Sequence, residues 1–116
     1  MMAIVPCSER LARVRRRFAS SLEDRILDTY AALPKLAGEG AAVMDIIARS
    51  YRRIHDIVGV GPTVGFSDTS RAARAVENVL LPAQSAGRGL NAEEIDRLKI
   101  ALQALREVSR REMHSF

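Results

Sequence analysis

Apolar residues recur along this chain at spacings of three and four, which is the period of an amphipathic α-helix. The first such stripe consists of Leu11, Val14, Phe18, Leu22, Ile26, Tyr30 and Leu33. Ser8 is a suitable N-cap residue, and Pro34 disfavours helical geometry at Leu33. The pattern therefore predicts a first helix over residues 8–33.

The next two predicted helices lie on either side of a stretch rich in glycine. The second, over residues 41–60, carries the stripe Val43, Ile47, Tyr51, Ile54 and Val58. The third, over residues 67–81, can be capped by Ser67 or Asp68, and Pro82 marks its end.

The fourth helix has the clearest start. Asn91 and Glu94 have the spacing of a capping box, and the stripe that follows predicts a helix over residues 91–112. Four helices joined by short loops favour antiparallel neighbours. The predicted fold is an all-α, antiparallel up-down-up-down four-helix bundle that forms one domain over residues 1–116.

The composition agrees with a bundle of aliphatic helices. The chain has 116 residues, of which 47% are hydrophobic and only 4% aromatic, and this balance disfavours a β-sandwich. The single cysteine, Cys7, cannot form an internal disulfide, and no run of about 18 apolar residues is present. We expect a cytoplasmic protein that does not bind a membrane.

The charge is positive, with a formal net charge of +4 and arginine as the dominant base. The densest basic cluster consists of Arg10, Arg13, Arg15, Arg16 and Arg17. Such a balance suits an acidic protein partner or a nucleic acid. No aromatic residue is interleaved before Phe18, which the pattern places in the core, so base stacking is disfavoured. We expect a solvated helix face and no nucleic-acid partner.

One histidine stands out in the segment Arg52–Phe66, which reads RRIHDIVGVGPTVGF. At about 100° per residue, His55 lies at the edge of the second apolar stripe. Its neighbours on that flank are Ala48, Arg52 and Gly59. We therefore expect the imidazole to stand clear of tall side chains other than arginine.

The spacing around this histidine continues into the third helix. The residues that carry it are His55, Ile57, Gly59, Val64, Gly65, Phe66, Ala73, Val76 and Glu77. This pattern resembles the histidine-containing phosphotransfer (HPt) domains of two-component phosphorelays. The resemblance at motif level covers residues 51–80, and the four-helix layout extends it over most of the chain.

The resemblance implies a phosphorelay intermediate. His55 would accept a phosphoryl group from a receiver-domain aspartate and pass it to another response regulator, without independent enzymatic turnover. The implied partners are receiver domains and a hybrid histidine kinase. The chain would need no cofactor or metal of its own, because Mg²⁺ would belong to the receiver, and an HPt domain is usually a monomer. Neutral imidazole is a nucleophile near pH 7, which agrees with this role.

Two residues depart from the family pattern. Val58 stands where the family usually has a phosphate-holding lysine, and Thr69 where it usually has leucine. Arg52, one turn before His55, is the nearest substitute because a guanidinium can pair with phosphate oxygens. Gly59 would leave room for an incoming aspartate. The expected partner-binding face consists of Ala48, Tyr51, Arg52, Val58 and Gly59.

Other interpretations of the same residues remain open. The bundle could be an adaptor that docks on a receiver or kinase without being phosphorylated. It could also be a dimerisation and phosphotransfer fragment of a sensor kinase, in which Asp56 beside His55 would act as a base. For Glu77, we expect a cap or a salt bridge across the bundle rather than acid-base chemistry.

Overall fold

Four α-helices and two short 3₁₀ turns make up the protein in a computed structural model, which describes residues 4–115, with side chains from residue 9 onward. The α-helices are α1 (Ile4–Ala32), α2 (Ala41–Val60), α3 (Ser67–Ala86) and α4 (Ala92–Met113), and the 3₁₀ turns span Leu33–Lys35 and Gly61–Val64. Helix α2 packs on α3, α3 on α4, and α1 on both α2 and α4. The predicted all-α four-helix bundle is confirmed.

The core is aliphatic except at one end. Its fully buried members include Leu22, Ile47, Ile54, Leu80, Leu98, Leu102 and Leu105. At the end that contains the Gly61–Val64 turn, Phe66 is buried and its ring lies 5.1 Å from that of Phe18 in α1. The backbone N–H of Phe66 donates to the carbonyl of Gly61 over 2.8 Å. The turn after α2 is thereby fixed against both α1 and α3.

Helix α1 begins earlier than predicted. It starts at Ile4, so Ser8 lies inside the helix and is not its N-cap. Pro6 is compatible with this longer helix, because proline is tolerated in the first helical turn, where backbone N–H groups have no intrahelical partner. Nothing between Pro6 and the first apolar stripe interrupts the helix.

Helix α3 ends later than predicted, at Ala86 rather than before Pro82. Pro82 is exposed, and the helix continues because Ala83, the next residue, is fully buried. Gly87 closes the helix in the left-handed conformation, with φ of 66°, and its N–H donates to the carbonyl of Ala83. Burial and this cap outweigh the backbone hydrogen bond that proline cannot make.

The start of α3 is capped from another helix. Neither Ser67 nor Asp68 makes a side-chain cap, which corrects the prediction. Instead, the carboxylate of Glu112 in α4 accepts hydrogen bonds from the N–H groups of Asp68, over 3.0 Å, and Thr69, over 2.7 Å. A negative charge at this position also interacts favourably with the helix dipole.

The start of α4 carries the predicted capping box, with reciprocal hydrogen bonds between Asn91 and Glu94. The Arg88 guanidinium adds a second contact, over 2.8 Å, to the Glu94 carboxylate. This hydrogen bond lowers the pKa of Glu94 below its ordinary value, against the effect of burial. Glu94 therefore stabilises the fold at neutral pH, and this contribution is lost as the pH falls through its lowered pKa.

Thr69 offers a test of the core. It is fully buried, and its hydroxyl oxygen has no hydrogen-bond partner within the described part of the chain. Because an unsatisfied buried hydroxyl is costly, Thr69→Val should raise the free energy of unfolding by about 1 kcal/mol. Urea denaturation measures this, with Ser67→Ala as the exposed control on the same turn. A loss of stability in Thr69→Val would show that the hydroxyl is satisfied.

Candidate functional site

The site centres on His55, which lies in α2 on the side that faces α3. Its side chain is 59% exposed, and its Nδ1 lies 2.5 Å from Oε2 of Glu77. The contact joins two neighbouring helices and fixes one edge of the imidazole ring. More than half of the side-chain surface stays exposed to solvent.

Glu77 reaches the ring from a nearly buried position. Its side chain is 12% exposed and lies beside the apolar stripe of α3, which includes Val76 and Leu80. A carboxylate only accepts hydrogen bonds, so Nδ1 of His55 carries the hydrogen. The neutral imidazole then presents the lone pair of Nε2, the nitrogen on the far side of the ring from Glu77.

Tyr51 covers one face of the imidazole. The two rings are stacked, with centroids 5.7 Å apart and planes inclined by 12°. The expectation that His55 stands clear of tall side chains is therefore wrong. Helix geometry explains the contact, because residues four apart share a face and side chains lean toward the helix N-terminus.

Gly59 lies one turn after His55, on the side away from Tyr51. A Cβ atom added to it would meet no other atom within 4 Å. Glycine is therefore not required here by packing, although it weakens a helix by about 1 kcal/mol relative to alanine. The space over this turn is open.

The remaining residues of the expected binding face are not equally accessible. Arg52 and Gly59 are exposed, and Ala48 and Tyr51 are half-buried. Val58 is only 8% exposed, and its carbonyl accepts a hydrogen bond from the Ser70 hydroxyl. Val58 belongs to the core and has little surface to offer a partner, contrary to the expectation for it.

Asp56, the acid that follows His55, is engaged on another side of α2. The guanidinium of Arg25 in α1 lies 3.3 Å from the Asp56 carboxylate and also donates to the carbonyl of Arg53 over 3.2 Å. Successive residues of a helix point about 100° apart, so Asp56 does not share the position of His55. This contact favours a structural role for Asp56 over that of a base.

Two kinds of feature are absent from the described residues. No group of three or more His, Cys, Asp or Glu side chains could hold a metal ion in the part of the chain that the structure describes. None of the helices within residues 4–115 is long and apolar enough to span a membrane.

The geometry agrees with the comparison with known families. The family model described as "Hpt domain" matches residues 13–108. The chain belongs to the Hpt domain family. No curated protein and no solved structure matches this Hpt domain in the corresponding searches.

Family membership fixes the general role. Hpt domains act in two-component phosphorelays as phosphotransfer carriers rather than as classical enzymes, and they interact with receiver domains and kinases. The match includes all the residues that carry the pattern around His55.

Glu77 is the site residue that the sequence interpretation placed in a lesser role. A salt bridge or cap across the bundle was expected for it, and the structure shows a pair across the α2–α3 interface with His55 as the partner. The sequence did contain a signal for this contact, namely an acidic residue next to a buried apolar stripe. A nearly buried carboxylate needs a polar partner, so such a residue is expected to pair with a polar side chain.

Proposed function

We propose that this Hpt domain accepts a phosphoryl group on Nε2 of His55 from a receiver-domain aspartate and passes it to another response regulator. The observation that carries the proposal is the pairing of Nδ1 with Glu77, which leaves Nε2 as the exposed nucleophile. Membership of the Hpt family supports the phosphorelay context.

The transfer needs no cofactor on this chain. The lone pair of Nε2 attacks phosphorus in line with the bond to the aspartate oxygen, the N–P bond forms, and the carboxylate leaves with the electron pair. Nδ1 keeps its hydrogen, so the phosphorylated ring carries a positive charge. The Glu77 carboxylate at 2.5 Å stabilises that charge, and transfer to the next receiver reverses the steps.

A receiver has room to approach along one side of the ring. Tyr51 stacks against one face, whereas the turn at Gly59 is open. Apolar surface lies nearby, with half-buried Ala48 on α2 and exposed Leu81 one turn beyond Glu77 on α3. We propose that a receiver docks on this surface, with Ala48, Tyr51, Arg52 and Gly59 as its α2 contacts.

Arg52 is proposed to support the phosphoryl group in place of the lysine that Val58 replaces. Arg52 is exposed and lies one turn before His55. Arg52→Ala should slow phosphoryl transfer about fivefold, because it removes about 1 kcal/mol of charge-assisted pairing. Single-turnover transfer from a phosphorylated receiver measures the rate, and Arg49→Ala on the same helix is the matched control. An unchanged rate for Arg52→Ala would remove this residue from the site.

Gly59 is proposed to keep the approach open. Gly59→Leu should leave the fold intact, because Gly59 is exposed and an added Cβ meets no atom within 4 Å, and should slow transfer from a receiver at least tenfold by crowding it. Circular dichroism checks the fold, and Gly59→Ala gives a graded control with one methyl group. Reaction of His55 with phosphoramidate, a small phosphoryl donor, should be unaffected. Normal transfer by folded Gly59→Leu would refute the steric role.

One experiment separates phosphotransfer from the adaptor alternative. The Hpt domain is incubated with a ³²P-labelled receiver domain, repurified, and offered to a second, unlabelled receiver. A carrier acquires acid-labile, base-stable label and then loses it to the second receiver. A non-phosphorylated adaptor binds the first receiver but acquires no label.

A further inference from the structure

The positive charge of this protein is concentrated in one segment of α1. Residues 9–17 contain five arginines and one glutamate, a formal charge of +4, which equals the net charge of the whole chain. The other residues therefore balance to zero. We call residues 9–17 the basic segment. Its location makes it distinct from the site around His55.

Distance along α1 separates the basic segment from that site. Arg25 contacts Asp56, the residue next to His55, and so marks the level of the site on α1. Arg13 lies twelve residues before Arg25, or about 18 Å along the helix axis at 1.5 Å per residue. A receiver centred on His55 therefore leaves much of the basic segment uncovered.

An apolar groove adjoins the basic segment. It has a volume of about 480 Å³ and is lined by Ala12, Arg15, Arg16, Ala19, Phe66 and Met113. The apolar members come from α1, from the residue just before α3 and from the end of α4, and the two arginines belong to α1. Arg15 is tethered by a hydrogen bond from its Nε to the carbonyl of Val64 over 3.1 Å, which makes this wall of the groove well defined.

Apolar surface continues along the same segment. The stripe that buries Leu22 and Ile26 extends to Leu11 and Val14, which are 41% and 42% exposed. A segment with arginines and exposed apolar residues is suited to a ligand that is apolar on one side and acidic on the other.

We propose that the basic segment and its groove form a second docking surface, whose occupant is an acidic amphipathic segment of a partner protein. Apolar side chains of the partner occupy the groove beside Ala12 and Met113, and its carboxylates pair with Arg13 and Arg16. Arginine suits such pairing because its guanidinium can form two parallel hydrogen bonds with a carboxylate. This docking is independent of phosphorylation at His55.

The surface fits a protein segment better than a nucleic acid or a membrane. Nucleic-acid single strands need exposed aromatic rings for stacking, and here Phe66 is buried and Phe18 half-buried. A membrane takes up protruding apolar side chains, whereas this apolar surface is in large part a concave groove. Charge complementarity and an apolar groove together point to an acidic helix or strand.

The test measures binding of a synthetic probe by fluorescence anisotropy. The probe is a labelled amphipathic peptide with leucines on one helical face and glutamates on the other, and a scrambled peptide of the same composition is its control. The protein is compared with Arg13→Glu/Arg16→Glu, and the control of equal net charge is Arg74→Glu/Lys99→Glu, which changes exposed residues elsewhere. Ala12→Phe fills the groove without changing charge. Circular dichroism checks the helicity of each variant.

The proposal expects the amphipathic peptide to bind at least tenfold more tightly than the scrambled one. Arg13→Glu/Arg16→Glu should weaken binding at least tenfold, the control pair less than twofold, and Ala12→Phe about fivefold. Equal binding of both peptides, no effect of Ala12→Phe, or no binding at all overturns it. A labelled oligonucleotide or phosphatidylserine vesicles that bind more tightly than the peptide also overturn it, in favour of a nucleic acid or a lipid surface.

Discussion

His55→Ala is expected to abolish incorporation of acid-labile, base-stable phosphate, whether the donor is a phosphorylated receiver or phosphoramidate. The substitution removes the exposed imidazole and leaves a small side chain on a surface position, so the fold should persist. The loss should be complete rather than partial, because the bond to phosphorus forms on the side chain that is removed. Gel autoradiography after acid and alkali treatment gives the readout.

The chain provides its own control for this substitution. It contains two histidines, and His114 is exposed at the end of α4. His114→Ala should be labelled like the unmodified protein. Label retained by folded His55→Ala, or lost from His114→Ala, would place the phosphoryl group elsewhere.

Glu77→Gln is expected to slow phosphorylation of His55 by about 10–100-fold, by analogy with the loss seen when a carboxylate that orients a metal-ligating histidine is removed. Glutamine keeps the shape but loses the negative charge that stabilises the phosphorylated ring. Its amide also permits either imidazole tautomer, because it both donates and accepts hydrogen bonds. The effect should appear with phosphoramidate as well as with a receiver, since it concerns the ring rather than docking.

A second readout separates this positioning role from a structural one. The ¹⁵N resonances of the His55 ring should report hydrogen at Nδ1 in the unmodified protein and a mixture of tautomers in Glu77→Gln. Glu93→Gln, on an exposed position of α4, is the matched control. A wild-type rate in Glu77→Gln, or an unchanged tautomer despite a slower rate, would contradict the assignment.

The four helices of the bundle could be predicted from sequence because the signals for them are local, each acting within one helix. The stripe from Leu22 to Ile26 and the pair Asn91 and Glu94 need only periodicity or a spacing of three residues. The start of α1 and the end of α3 depended on more than these local signals. Pro6 is compatible with a helix start, and Pro82 is tolerated because a neighbouring residue is buried, which no local rule reveals.

The site likewise combines features that local spacing predicts with features that depend on packing between helices. The spacing of His55 and Gly59 predicted the open turn from sequence, and the assignment of His55 as the nucleophile stays a prediction. The Glu77 contact joins residues 22 positions apart and needed the packing of α2 on α3. Tyr51 was assigned to the apolar stripe, and only the ring geometry shows that it also stacks on the imidazole.

The contact of Glu112 with the start of α3 has a consequence for the dynamics of the bundle. The carboxylate holds two N–H groups that have no partner within α3 itself. If the last turn of α4 unwinds, those two donors lose their acceptor, and the first turn of α3 is weakened at the same time. The beginning of one helix and the end of the next therefore form one cooperative unit, in which local opening involves both segments.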